Sequence, residues 1–118
     1  MPDARTIFAA IDSLDPRALD GVLAEDATMV FGNGEPLAGR DAILAGSEAF
    51  LSTVKGVRHR LLNEWTVDAT TIAEAEVTYT RLDSKEVTVP VVSIWQIRPD
   101  TKITTYRVFV DLTPVYAP

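Results

Sequence analysis

The sequence contains no cysteine. That excludes disulfides, thiolate metal sites and a thiol nucleophile, and it fits a reducing compartment. It contains one histidine, His59. One imidazole and scattered carboxylates do not make a metal site, so no metal and no cofactor is expected. Positive charge is also scarce, with 11 basic residues against 17 acidic ones and a net charge of −6. The longest basic cluster is Arg58-His59-Arg60, too short for the electrostatic footprint of a nucleic-acid binder. No apolar run approaches transmembrane length, and Met1-Pro2-Asp3-Ala4-Arg5 lacks the regions of a signal peptide. The expectation is a cytoplasmic protein with neither membrane nor nucleic acid as partner. Gly32-Asn33-Gly34 reads as a turn, without the strand–loop–helix context of a phosphate loop.

What the chain does have is hydrophobic material in ordered patterns. Its 118 residues are 47% hydrophobic, enough for one domain spanning 1–118 with a core of its own. Asp3 is placed to cap a first helix, whose apolar stripe is Ala4, Ile7, Phe8, Ile11 and Leu14. Asp15-Pro16 starts a second helix carrying Leu19, Val22 and Leu23, ended by Glu25-Asp26. Thr28–Phe31 reads as a short strand that returns through Gly32–Pro36 to a brief partner at Leu37-Ala38. A third helix spans about 40–52, with Ile43, Leu44, Ser47, Phe50 and Leu51 on one side.

After Lys55-Gly56 the pattern changes to four long strands, 57–67, 71–81, 87–97 and 102–112. Alternation is clearest in the second, where Ala75, Val77 and Tyr79 interleave with Glu74, Glu76, Thr78 and Thr80. The third strand is apolar on both faces, as expected of a strand covered on both sides. Pro114 and Pro118 mark an irregular tail. The fold class predicted is α+β: a cone-shaped roll of three N-terminal helices packed on a curved antiparallel sheet of four long strands plus a short hairpin, enclosing an apolar pocket.

The order and spacing of several segments resemble the SnoaL-like branch of the nuclear transport factor 2-like superfamily. These are Ala9-Ala10-Ile11-Asp12 with Leu19 and Leu23, Ala24-Glu25-Asp26-Ala27-Thr28, Gly39-Arg40-Asp41-Ala42-Ile43, and His59 before a long strand. Glu76–Asp83, Val89-Pro90, Lys102-Ile103 and Tyr106–Asp111 complete the set. The resemblance covers essentially the whole chain and implies the cone fold. It also brings a choice of chemistries, because that branch includes ketosteroid isomerases, polyketide cyclases, limonene epoxide hydrolases and dehydratases.

The resemblance places the isomerase base on Phe31, its helix-one tyrosine on Phe8 and its sheet aspartate near Val92. All three are apolar here, so the proton carriers of that mechanism are missing. For the epoxide-hydrolase cluster, Arg81 and Asp83 lie beside a hairpin tip, the deeper family positions fall near Val77 and Tyr79, and the partner aspartate falls on Val108. Asp111, before Leu112-Thr113-Pro114, reads as a turn residue, and Asp41 as a helix-start residue.

The remaining candidate for acid–base work is His59, the usual proton carrier near neutral pH. It shares a strand parity with Leu61, Asn63 and Trp65. Phe8, Phe31, Asn63, Tyr79, Val92, Tyr106 and Val108 are the expected ligand-binding residues, with tyrosine hydroxyls as donors to a ligand carbonyl. The first functional reading is a small, hydrophobic, cyclic ligand bound in an apolar pocket, with isomerisation, cyclisation or dehydration as the reaction if there is one and His59 or a tyrosine as the proton carrier. The second is a non-catalytic dimeric interaction module whose pocket is filled by Phe8, Phe31 and Val92. In either case Val91, Ser93, Trp95 and Phe109 are expected on the outer sheet face, where a homodimer would form.

Overall fold

The computed structural model describes residues 2–118. Helix α1 (Ala4–Asp12) begins as the sequence predicts: the Asp3 side chain accepts the Thr6 N–H at 2.9 Å and satisfies one of the free amides of the first turn. Its Ala4, Ile7 and Phe8 are buried. The expected second helix does not form. Residues 15–22 make successive three-residue turns, closed by Ala18 N–H to Asp15 O, Asp20 N–H to Arg17 O and Val22 N–H to Leu19 O. Gly21 disfavours a helix interior. The segment also ends by pairing, since Val22 O accepts the Ile103 N–H at 2.8 Å. Leu19 still points inward and is 6% exposed.

Strand β1 (Leu23–Phe31) therefore starts five residues before the expected Thr28, followed by β2 (Leu37–Ala38) and α2 (Arg40–Leu51). The long strands are β3 (Val54–Val67), β4 (Thr70–Arg81), β5 (Glu86–Ile97) and β6 (Ile103–Val110). They form one six-stranded sheet in the order β2-β1-β6-β5-β4-β3. β3 to β6 is the expected antiparallel meander, but the sheet is mixed because β1 lies parallel to β6. The tail is not irregular throughout: α3 (Thr113–Tyr116) buries Val115, and the Arg81 guanidinium donates to Ala117 O at 2.6 Å. No helix among the described residues is long and apolar enough to cross a membrane.

One face of the sheet carries the core. Along β4, Thr71, Ala73, Ala75, Val77 and Tyr79 are buried while their neighbours are half-exposed, the period-two pattern of a half-covered strand. β5 follows the same rule, with Val89, Val91, Ser93, Trp95 and Ile97 buried and Val92 and Ile94 turned outward. It is thus not covered on both faces, and the expected outer face is corrected. Val91, Ser93 and Trp95 point into the cone; only Phe109 of that set is outside, 52% exposed. A strand shifted by one residue exchanges all its side chains between faces, and a strand apolar at nearly every position gives no alternation by which to choose.

Candidate functional site

A cavity of about 140 Å³ lies between the inner sheet face and the helical layer. Its floor is Val91, Ser93, Tyr106, Val108 and Tyr79; its helical wall is the end of α1 with Asp15 and Pro16, and the second half of α2 from Gly46 to Leu51. Phe31 and Phe50 meet at 5.1 Å between ring centres, and Phe50 meets Tyr79 edge-on at 5.7 Å. The pocket is lined by these residues rather than filled by them.

His59 sits in this wall, its side chain 8% exposed. α1 supplies the two groups that fix it. Phe8 and Asp12 are four residues apart, hence on one face of the helix. The Phe8 ring stacks on the imidazole at 4.2 Å with a 4° interplanar angle. The Asp12 Oδ1 lies 2.7 Å from His59 Nδ1, and Oδ2 accepts the His59 backbone N–H at 2.9 Å. A carboxylate can only accept, so Nδ1 carries a proton, and in the neutral imidazole Nε2 is the nitrogen with the lone pair. Nε2 has no hydrogen-bond partner among the described residues.

Tyr79 and Tyr106 are 3% and 1% exposed. Burial pushes both hydroxyls well above the usual tyrosine range. Tyr106 and then Tyr116 and Asp12 add to the effect at Tyr79; at Tyr106 the neighbouring Trp95 indole opposes it. Both therefore remain neutral donors across the physiological range.

The expected site residues separate into three groups. His59, Phe31, Tyr79, Tyr106 and Val108 line the cavity. Phe8 lies one layer behind, against His59 and Trp95. Asn63 and Val92 lie on the outer face. Asn63 is exposed and donates to Glu74 at 2.8 Å, and Val92 pairs with Phe109. The Asn63 error has a local cause. The β3–β4 register shifts between Leu61 and Asn63, so Leu62 is an extra residue that reverses strand parity. From there Asn63 and Trp65 face out while Glu64 faces the helix, its Oε2 accepting the Ala4 N–H at 3.3 Å.

Two lining or supporting residues were missed from the sequence. Asp12 is in phase with Ala4 and Phe8, and an acid at the end of an otherwise buried stripe is the signal that points to it. Ser93 was placed on the wrong face. Arg81 and Asp83 pair with each other at 3.1 Å beside the β4–β5 hairpin and do not line the cavity. Among the described residues no group of histidines and carboxylates is arranged to hold a metal.

The model of the SnoaL-like domain matches residues 4–106. No curated protein matches the chain. Solved structures do. A hypothetical protein with a ketosteroid isomerase-like fold from Catenulispora acidiphila, in complex with trimethylamine, superposes with a TM-score of 0.85 at 20% identity, over 94% of this chain and 86% of that one. A candidate SnoaL-like polyketide cyclase from Jannaschia sp. gives 0.79 at 15% identity, over 97% and 91%. An epoxide hydrolase of M. tuberculosis, limonene epoxide hydrolase-like, gives 0.78 at 15% identity, over 95% and 82%. At these identities the likeness establishes the fold alone.

Proposed function

The chain belongs to the SnoaL-like domain family, and on that premise we propose that its cone binds a small hydrophobic, cyclic molecule and moves a proton on it, with His59 as the carrier. The observation that carries the reading is the Asp12–His59 pair in the wall of an open apolar cavity. With Nδ1 held by Asp12, Nε2 takes a proton from a ligand C–H or O–H, and the imidazolium that forms lies beside a carboxylate. Returning the proton to a different carbon is an isomerisation; returning it to a departing hydroxyl is a dehydration. Positioned general acid–base catalysis of this kind contributes roughly 10²–10⁴-fold. His59 takes the role of the carboxylate base that ketosteroid isomerase relatives would carry at the position occupied here by Phe31.

The cavity volume is close to the ~150 Å³ that accepts a benzene-sized ligand in an apolar core. That favours a single ring over a fused one. The test is turnover of a panel of monocyclic enones and epoxides by the native protein and by His59→Gln. Loss of turnover with retained binding supports the assignment; an established substrate turned over equally by both excludes His59.

The outer sheet face supports a homodimer in addition. Two neighbouring cross-strand rows, Arg107–Ile94–Ile72–Trp65 and Phe109–Val92–Glu74–Asn63, place five apolar side chains side by side. Trp65 and Phe109 are half exposed within them, and a contiguous apolar patch of this kind marks an interface.

A further inference from the structure

Three inward-facing hydroxyls line the cavity: Tyr79 on β4, Ser93 on β5 and Tyr106 on β6. All three residues are nearly inaccessible, at 3%, 2% and 1% exposure. Neither the Ser93 nor the Tyr79 hydroxyl has a hydrogen-bond partner among the described residues, and the Tyr106 oxygen has the Trp95 indole N–H beside it, which leaves its own O–H free to donate. Smaller opportunities elsewhere are taken up, as Thr78 bonds Thr88 across two strands and Thr53 bonds Tyr116. A serine at an inner position of a central strand, between Val91 and Trp95, gives up hydration for no packing advantage over alanine. An unmatched buried hydroxyl is destabilising unless something else completes it. What completes the Ser93 and Tyr79 hydroxyls, and what takes the Tyr106 proton, comes from the cavity they line.

Their placement groups them. Val108 pairs with Ser93 and Tyr106 with Trp95, so Ser93 and Tyr106 are diagonal neighbours on one face of adjacent strands. Trp95 meets Tyr106 edge-on at 5.6 Å between ring centres and fixes its orientation. Tyr79 is near enough to Tyr106 for the two hydroxyls to feel each other's charge. His59 faces them from β3. The charges nearby are one-sided: among the described residues no lysine or arginine lines the cavity, while Asp15 lines it and Asp12 stands behind His59. A carboxylate or phosphate would meet no permanent counter-ion there, since the one group that can become cationic, His59, is already paired with Asp12, and it would meet two carboxylates of its own sign.

We infer that Ser93, Tyr106 and Tyr79 form an oxygen-recognition subsite, and that the ligand is an uncharged, oxygenated monocycle whose carbonyl or hydroxyl oxygen accepts hydrogen bonds from them. The inference rests on the reading of the cavity as a ligand site and narrows its ligand class. In water the three hydroxyls can be hydrated. A ligand oxygen reproduces those bonds on displacing the water, whereas a hydrocarbon of the same shape leaves the hydroxyls unmet. The subsite therefore orients as well as selects: the ligand's oxygen is held at the sheet.

Cyclohexanone and methylenecyclohexane differ only in C=O against C=CH₂, and titrating each by ligand-observed NMR into the native protein, Tyr106→Phe and Ser93→Ala tests the subsite. Comparing ratios of affinities removes the hydrocarbon's greater gain on leaving water. The expected result is a ketone-to-alkene affinity ratio that falls roughly tenfold in each variant, the value of one lost hydrogen bond, with methylenecyclohexane binding nearly unchanged. Tyr79→Phe is the third arm should either of the others fail to fold. A ratio that stays the same in all folded variants overturns the subsite and leaves the apolar-ligand reading standing. Tighter binding of cyclohexanecarboxylate or cyclohexylammonium than of the ketone overturns the uncharged class. Failure of every probe to bind overturns the cavity reading itself, and the subsite with it.

Discussion

Both carboxylate oxygens of Asp12 are used on a single residue, Oδ1 on the His59 ring nitrogen and Oδ2 on its backbone N–H. The consequence is positional. The helix carrying Asp12 and the strand carrying His59 are tied at two points, and Phe8 from the same helix covers the flat side of the ring. Swinging the imidazole out would break a charge-assisted hydrogen bond and a stack together, so the ring is pre-set before any ligand enters.

Asp12→Asn should separate geometry from charge. The amide oxygen can accept from only one of the two donors, Nδ1 or the His59 backbone N–H, and the amide nitrogen faces the other, so the fold should survive with a loss of about 1–3 kcal/mol. The variant no longer offers a negative charge to an imidazolium, so proton transfer should fall by at least tenfold, up to the loss given by His59→Gln. Long-range ¹H–¹⁵N NMR of the imidazole checks the first step: the native protein should show Nδ1 protonated at neutral pH, and the variant a mixture of tautomers.

The two buried tyrosines make an alkaline prediction whose sign is fixed by their raised values. Below about pH 10, the ordinary tyrosine value, both are protonated in the folded and the unfolded chain and nothing changes with pH. Above it, the unfolded chain releases protons that the folded chain retains. Stability is therefore lost as pH rises, at about 1.4 kcal/mol per pH unit for each tyrosine. Urea unfolding at pH 9 to 11.5 should show this slope, and Tyr79→Phe or Tyr106→Phe should each remove about half of it. A pH-independent midpoint over that range would contradict the burial of both hydroxyls.

Much of the architecture was legible because the chain obeys local rules where it has them. The Asp3 cap, the α2 boundaries and the four long strands follow from spacing and turn residues alone. What was not legible is where a local rule had a tertiary competitor. Pro16 after Asp15 announces a helix, yet Val22 is taken by Ile103 and the helix gives way to turns. Leu62 looks like any strand residue, yet it is the inserted one that turns Asn63 outward. β5, apolar at nearly every position, hid its own parity, and Ser93 was lost from the site with it. Asp12 was missed because a helix-end aspartate is so often a surface residue, although its i+4 relation to Phe8 is plain in the sequence.

Gly46 sets how closely α2 approaches β2. A Cβ built there would stand 2.7 Å from Cδ1 of Leu37, and both residues line the cavity. Gly46→Ala should leave the fold intact, because the obstructing atom is the end of a flexible side chain and alanine gains about 0.8–1 kcal/mol of helix preference over glycine. Leu37 must then turn, and the space open to it is the cavity. The expected outcome is a thermal midpoint within a few degrees of the native one, with affinity for monocyclic ligands reduced several-fold. Leu37→Ala should act in the opposite sense and admit larger rings.

The last prediction concerns the outer face, where Trp65, Ile72, Ile94, Val92 and Phe109 adjoin across four strands. A two-fold interface brings each residue into the contact twice, so a single unfavourable change is felt twice per dimer. Ile94→Glu puts two carboxylates into the centre of such an interface while touching nothing inside the cone, since Ile94 faces away from the cavity-lining Ser93 and the buried Trp95. Phe109→Glu does the same nearer the edge and also removes the ring over which the Arg107 guanidinium lies at 5.5 Å. Sedimentation equilibrium should show a native dimer at micromolar concentration and monomers for both variants, with the far-ultraviolet spectrum unchanged. Ligand affinity measured on the monomers then decides whether assembly shapes the site. Unaltered affinity is expected, because among the cavity-lining residues named here every one comes from the inner face or the helical layer. A native protein that sediments as a stable monomer at those concentrations would leave the apolar rows to some other partner and remove the dimer from this account.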